Sequence, residues 1–409
     1  MTVDQKICVP WQFDTFVQVA RREGALFDIP VVDGQANETI RWGEKNLVNL
    51  ASINFLGLHQ DARFLAHFLQ SAQDYGLVTG GSRISQGVSR PHAELENLLS
   101  RITGKERSLS FATGLLANVG FVTGISARFM KSSTCQLDNS DTVFVMDNAI
   151  HWSIRRSVEH LPRDQQRFYY KHDDMADLER LLVMLAGKKV VVVFESVHSM
   201  FGDVAPMGEI IDLCERYGAI SYVDDANGFL IYGPEQRPFA HEFTQMRRAT
   251  FRMVSFSKSV GLEGGAIAGP DDAIQAFEIL SGASVFTAAI QPPTASTIHL
   301  IMQYLSEDHT MIDRYLERVA AFRRRLEEIG CQLNTAPSYI ITIFVGAEEK
   351  IGQVRSAFLE RGYLVSALGY PIVKRDHALI RILMNWHHTD EQLDGFITTL
   401  KELKERYQF

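Results

Sequence analysis

The sequence predicts an α/β fold: a large domain built on a mostly parallel sheet with helices on both faces, then a smaller C-terminal α+β domain. Three observations predict it. Short β-branched runs, "VFVMDN" (143–148), "VVVVFESV" (190–197), "AISYVDD" (219–225) and "FRMVSFS" (251–257), each end in polar residues or glycine. Amphipathic stretches such as "DDMADLERLLVMLAG" and "APMGEIIDLCERYG" lie between them with helical periodicity. From about residue 300 the alternation stops.

Each element follows in turn. Continuous apolar strands separated by helices are buried on both faces, as parallel strands are. After residue 295 the sequence reads as one long helix, "STIHLIMQYLSEDHTMIDRYLERVAAFRRRLEEIG", then the strand "SYIITIFVG" and a helix "EKIGQVRSAFLERG". The strand "ALIRILMN" and a final helix "TDEQLDGFITTLKELKERY" complete it. The arginines of "FRRRLEE" read as a solvated helix face with acidic partners three or four residues on. The resulting division is an N-terminal segment (1–60), a large domain (61–295) and a small domain (296–409).

Composition narrows the function. A net charge of -8 argues against a nucleic-acid binder, which carries a basic face. The chain has no apolar run of the ~18 residues a spanning helix needs. "MTVDQKICVPWQFD" lacks the charged start and apolar core of a signal peptide, so a cytoplasmic enzyme is expected. Cys8, Cys135, Cys214 and Cys331 are scattered, with no CxxC pair, and read as free thiols. The histidines show no HExxH spacing, "WHHTDEQL" is a weak signal, and no metal site is expected.

In open parallel sheets, ligands gather beyond the carboxyl ends of the strands. Those ends here carry Asn148 with His151, Glu195 to Ser199, Asp224 with Asn227, and Ser255 with Lys258. "LSFATGLLANVGF" runs from an apolar stretch through a turn into a helix. The unpaired N–H groups of Gly114 and Leu115, with the Thr113 hydroxyl, suit a phosphate, although any strand–turn–helix reads similarly. Asp224 ends a buried strand, where a carboxylate needs a cation. Either a structural salt bridge or the protonated nitrogen of pyridoxal 5′-phosphate (PLP) satisfies it. Lys258 then has a purpose as the amine that bonds PLP and shuttles protons, with Ser255 on the phosphate and His151 stacked on the ring.

Taken together, these motifs resemble the α-oxoamine synthases among the fold-type I PLP enzymes, from about residue 45 to the C-terminus. The motifs are "NLASINFLGL", "TGGSRISQGVSRPHAELE", "FATGLLANVG", "DNAIHWS", "FESVHSMFGDVAPMGEI", "SFSKSVGLEGGAIAG" and "ALIRILMNWHHTDEQL". The resemblance implies Lys258 as Schiff-base lysine and acid/base, Asp224 at the pyridine nitrogen and His151 over the ring. It implies Thr113, Gly114, Leu115 and Ser255 around the phosphate, with Ser199 near the cofactor. Arg381 would hold the amino-acid carboxylate bidentately, and Asn54 and Arg83 match positions near the substrate entrance. The implied reaction joins an amino acid to an acyl thioester (acyl-CoA or acyl carrier protein), usually with decarboxylation, to give an α-aminoketone. A homodimer with interfacial active sites is also implied.

The sequence departs from that family at three places. Asn227 stands where the family has histidine; an amide donates a hydrogen bond but carries no charge. His198 replaces the family's Phe or Tyr. "VFTAAIQPP" has Thr287-Ala288-Ala289 where the family has Ser-Thr near its proline pair; there a threonine of the neighbouring subunit touches the phosphate, the role Thr287 would take. Two rival functions use the same residues differently. An aminotransferase or lyase on this fold needs no thioester site, and a non-catalytic partner subunit needs no lysine.

Overall fold

The computed structural model describes residues 11–22, 29–233, 238–370 and 372–409. Its centre is a seven-stranded sheet. The strands are β1 (Arg107–Phe111), β2 (Val143–Asp147), β3 (Arg167–Tyr170), β4 (Val190–Glu195), β5 (Ile220–Asp224), β6 (Phe251–Ser255) and β7 (Gly265–Gly269). Their order across the sheet is β1-β7-β6-β5-β4-β2-β3. Strands β3 to β6 run parallel through β2, while β7 is antiparallel to both neighbours, β6 and β1. The sheet is therefore mixed, with one reversed strand in a parallel array. All six residues of β4, Val190 to Glu195, are buried, as a central strand covered on both faces requires.

Two apolar layers sandwich the sheet. On one side Phe121, of the helix Gly114–Ile125, stacks on Tyr222 of β5 with ring centroids 3.7 Å apart. On the other, Leu181, Ile210 and Val192 join a large cluster that continues into the C-terminal part of the chain. The helix Pro292–Glu307 packs against the helices Ala62–Tyr75 and Arg90–Thr103. Beyond it, the antiparallel strands β8 (Ile340–Gly346), β9 (Ser366–Leu368) and β10 (Ala378–Leu383) form a second sheet in the order β8-β10-β9. The N-terminal hairpin Thr39–Trp42/Lys45–Asn49 is not isolated. Its second strand pairs in parallel with Tyr363–Leu364.

Two expectations about the C-terminal part change. The single long helix is two, Pro292–Glu307 and Thr310–Glu328. The break falls at Asp308, whose backbone is extended and whose carboxylate accepts from the Thr310 N–H at 2.9 Å, so a local cap competes with helix continuation. Nor is "FRRRLEE" uniformly solvated. Arg323 is buried and donates to the side-chain and backbone oxygens of Asn334 (3.0 and 2.7 Å), while Arg325 pairs with Asp394 of the last helix. That helix, Asp390–Tyr407, opens with a capping box between Thr389 and Gln392. Cys135 is exposed, Cys214 and Cys331 are buried, and all three are free; Cys8 lies outside the described residues.

Candidate active site

The parallel strands end on one edge of the sheet, and a cleft of about 440 Å³ opens there. It is lined by Thr113, Gly114, Leu115, His151, Ser199, Asp224, Asn227, Ser255, Lys258 and Arg381, together with Asn118, Ser153, Glu195 and Glu263. Ten of the residues singled out in the sequence thus meet in one place.

Local structure explains how. Thr113 caps the helix Gly114–Ile125, its hydroxyl accepting from the Leu116 N–H at 3.1 Å. The N–H groups of Gly114 and Leu115 begin that helix and have no intrahelical acceptor. A Cβ at position 114 would lie 3.2 Å from Ser255 Oγ, and one at 265 only 2.6 Å from Gly114 Cα. The turn therefore sits hard against the ends of β6 and β7, leaving backbone donors and the Ser255 hydroxyl facing a common space. This cradle suits a phosphate.

Asp224 is buried at the end of β5. Its Oδ2 accepts from Asn118 Nδ2 (3.0 Å) and its Oδ1 from the Ala226 N–H (3.1 Å). Asn118 also donates to Ser153 Oγ (2.9 Å) and accepts from the Tyr222 hydroxyl (2.6 Å). The Ser153 N–H donates to His151 Nδ1 at 3.2 Å, so that nitrogen is the acceptor and the ring proton sits on Nε2. One network thereby fixes both Asp224 and His151. Among the described residues the partners bonded to Asp224 are neutral donors, an arrangement that suits a cation at the cleft.

Lys258 lies in the turn after β6. Burial pushes its amine below the ordinary lysine value, against the pull of Glu195 and Asp224. Its Nζ donates to Asn227 Oδ1 at 2.5 Å; Asn227 Nδ2 donates to Val197 O (3.1 Å), and the Tyr339 hydroxyl reaches the same Oδ1 at 3.4 Å. Arg381, on β10, donates from Nη1 to Ser199 O (2.7 Å), and its buried Nε has no partner. Glu195 accepts from the Ser199 N–H (3.1 Å), leaving Oε1 without a partner. Burial holds the Glu195 carboxyl above its ordinary value.

Three expected residues lie elsewhere. Arg83 is paired with Glu96 (2.8 and 3.1 Å) and lines a different groove. Thr287 is half-buried, and its hydroxyl donates to its neighbour Ala288 O (3.4 Å). Asn54 follows the lining residue Ile53 and bonds His59, while its carbonyl accepts from Asn385 Nδ2 at 2.9 Å. Conversely, Asn118 was not foreseen; a lone polar residue in the apolar helix "GLLANVGFVTGI" was the available signal. A second grouping of polar side chains was not foreseen either. Asp147, His172, Asp173 and His198 bring ligand atoms within 4.8 Å of one another. They come from three separate strand ends, so no sequence spacing reveals them.

An anion cradle at a helix start, a buried strand-end carboxylate and a buried lysine of lowered basicity fit the three functional groups of PLP. The doubly wound sheet and this cleft define a fold-type I PLP enzyme. The chain belongs to the aminotransferase class I and II family, whose model matches residues 45–400. It is similar to 8-amino-7-oxononanoate synthase of Symbiobacterium thermophilum, 29% identical over 356 residues, 86% of each chain. It is also similar to 5-aminolevulinate synthase 2 of Cereibacter sphaeroides, 28% identical, covering 95% of this chain and 92% of that one. The fold matches Sphingomonas wittichii serine palmitoyltransferase with a TM-score of 0.87, 23% identity and coverage of 98% and 99%. No described helix is long and apolar enough to cross a membrane.

Proposed function

We propose that the cleft joins an amino acid to an acyl thioester, carried on CoA or acyl carrier protein, and releases an α-aminoketone. The chain is a PLP-dependent, C–C bond-forming acyltransferase of the α-oxoamine synthase type. The observation that carries the reading is the convergence of Lys258, Asp224 and Arg381 on one cleft.

Bound PLP supplies a carbonyl carbon for amines and an electron sink for the negative charge left when a proton departs. The protein's part is orientation and proton handling. Thr113, Gly114, Leu115 and Ser255 would hold the phosphate. Asp224, braced by Asn118, would hold the protonated ring nitrogen, and His151 would support the ring. Arg381 binds the substrate carboxylate through the edge that has no protein partner, next to Ser199. Lys258, whose amine burial holds below the ordinary lysine value, takes the α-proton and returns one later. Asn227 receives the amine in place of a charged partner, and Asn54 anchors the loop carrying Ile53.

A homodimer belongs to this proposal. Leu77, Val78, Ile84 and Phe286 are all exposed, and the segments carrying Ile84 and Phe286 are tied by the Ser82 hydroxyl donating to Val285 O at 2.5 Å. An apolar face of this kind needs covering. Covering it with a second copy gives Thr287 a site to serve across the interface. A cytoplasmic location accompanies the reading.

The test is release of free thiol from acyl-CoA in the presence of glycine, alanine, serine or 2-aminobutyrate. Thiol release that requires both partners supports the acyltransferase. Keto-acid formation without thiol release from any donor supports an aminotransferase instead.

A further inference from the structure

We propose that Asp173, His172 and His198 bind a first-row divalent metal ion, Zn²⁺, behind the cofactor cleft. His198 is buried and, among the described residues, neither of its ring nitrogens has a hydrogen-bond partner. His172 Nε2 and Asp173 Oδ1 are likewise buried and without partners. Four unmet polar atoms in one spot are costly unless something joins them.

The distances indicate what does. His172 Nε2 lies 3.5 Å from Asp173 Oδ2, His198 Nε2 lies 3.7 Å from Asp173 Oδ1, and Asp203 Oδ2 stands 3.9 Å from His172 Nε2. These are too long for hydrogen bonds. The two imidazoles face different oxygens of Asp173, and ligand atoms within 4.8 Å of one another need only small side-chain turns to reach the roughly 3.4 Å edge of a tetrahedron with bonds of about 2.1 Å, as zinc makes to nitrogen and oxygen.

The surroundings are arranged accordingly. A carboxylate only accepts, so the 3.0 Å contact of His172 Nδ1 with Asp147 Oδ1 places the proton on Nδ1 and leaves the Nε2 lone pair free. Glu195 Oε1, itself without a partner, faces His198 Nδ1 at 4.0 Å and favours the same tautomer there. Two imidazoles, each turned by a carboxylate, recur around zinc. His172 and Asp173 are partly exposed, which gives the ion a way in. Imidazole nitrogens favour Zn²⁺ over Mg²⁺ or Ca²⁺, which prefer all-oxygen sites. A bound ion would tie the segment after β3, itself bonded through His172 to Asp147 at the end of β2, to the segment after β4 that carries Ser199.

The holoenzyme, without a histidine tag, is stripped by chelator and dialysed against Zn²⁺ with excess Mg²⁺, and bound zinc is counted by mass spectrometry. About one Zn²⁺ per chain is expected. Asp173→Asn should weaken binding at least tenfold, and the pair His172→Gln with His198→Phe should abolish it. Asp173 has a φ of 51°, a conformation asparagine tolerates, so that variant should fold whatever becomes of the pair. Wild-type protein that takes up no zinc would overturn the proposal, as would full stoichiometry in Asp173→Asn at unchanged affinity.

Discussion

Lys258 Nζ donates to Asn227 Oδ1 at 2.5 Å, so the cleft's buried amine rests on a neutral amide rather than on a carboxylate. An ion pair there would hold the proton on lysine. A neutral partner leaves burial to dominate, and the amine sits below its ordinary value, available as nucleophile and base.

Replacing Asn227 with Asp therefore has a definite sign. A negative charge beside Nζ raises the lysine pKa, so the rising limb of kcat/KM against pH moves alkaline by about one to three units. Asn227→Gln should leave the limb in place. A pH–rate profile of the three proteins checks this.

Arg381→Lys keeps the charge but loses the planar fork. The Nη1 bond to Ser199 O already occupies one donor, and the unpartnered Nε marks the edge left for substrate. KM for the amino acid should rise about 10- to 100-fold, the equivalent of one charge-assisted hydrogen bond, with a smaller change in kcat. Steady-state kinetics at saturating thioester measures it.

A third outcome concerns stability. His388 is buried behind β10, its Nδ1 accepting from the Asn385 N–H at 2.9 Å, and burial holds it down to about 4. Below pH ~6.5 the unfolded chain takes up a proton on this ring and the folded chain does not. Stability is therefore whole at neutral pH and falls by about 1.4 kcal/mol per pH unit down to about pH 4, roughly 3 kcal/mol in all. His388→Gln should be less stable at pH 7 yet lose less between pH 6.5 and 4. Urea titrations at several pH values compare the two slopes.

Much of this was legible in the sequence, for a physical reason. A strand that must be buried on both faces is a continuous apolar run, so its polar end is conspicuous. Asp224, Ser255 and Lys258 all stand out in that way. The reversed strand β7, "GAIAG", escaped because small residues carry no strand signal, although their smallness is what lets the phosphate turn approach. The ion pair of Arg83 was not legible because its motif does not reveal Glu96, which takes up the guanidinium. His198 and His172 are 26 residues apart in the chain, yet their ring centroids are 4.3 Å apart. Only the parallel order of β2, β3 and β4 brings them together.

The most direct test of the central claim is where the cofactor attaches. Borohydride reduction of the PLP-loaded enzyme, followed by peptide mapping, should place the label on Lys258. Lys258→Ala should lose the label and slow thiol release by about a thousandfold or more. Lys105 is the informative competitor, since burial lowers it to about 8, but its amine is held by the backbone carbonyls of Arg247 and Ala249. A label on Lys105, or a Lys258→Ala protein that turns over normally, would contradict the account.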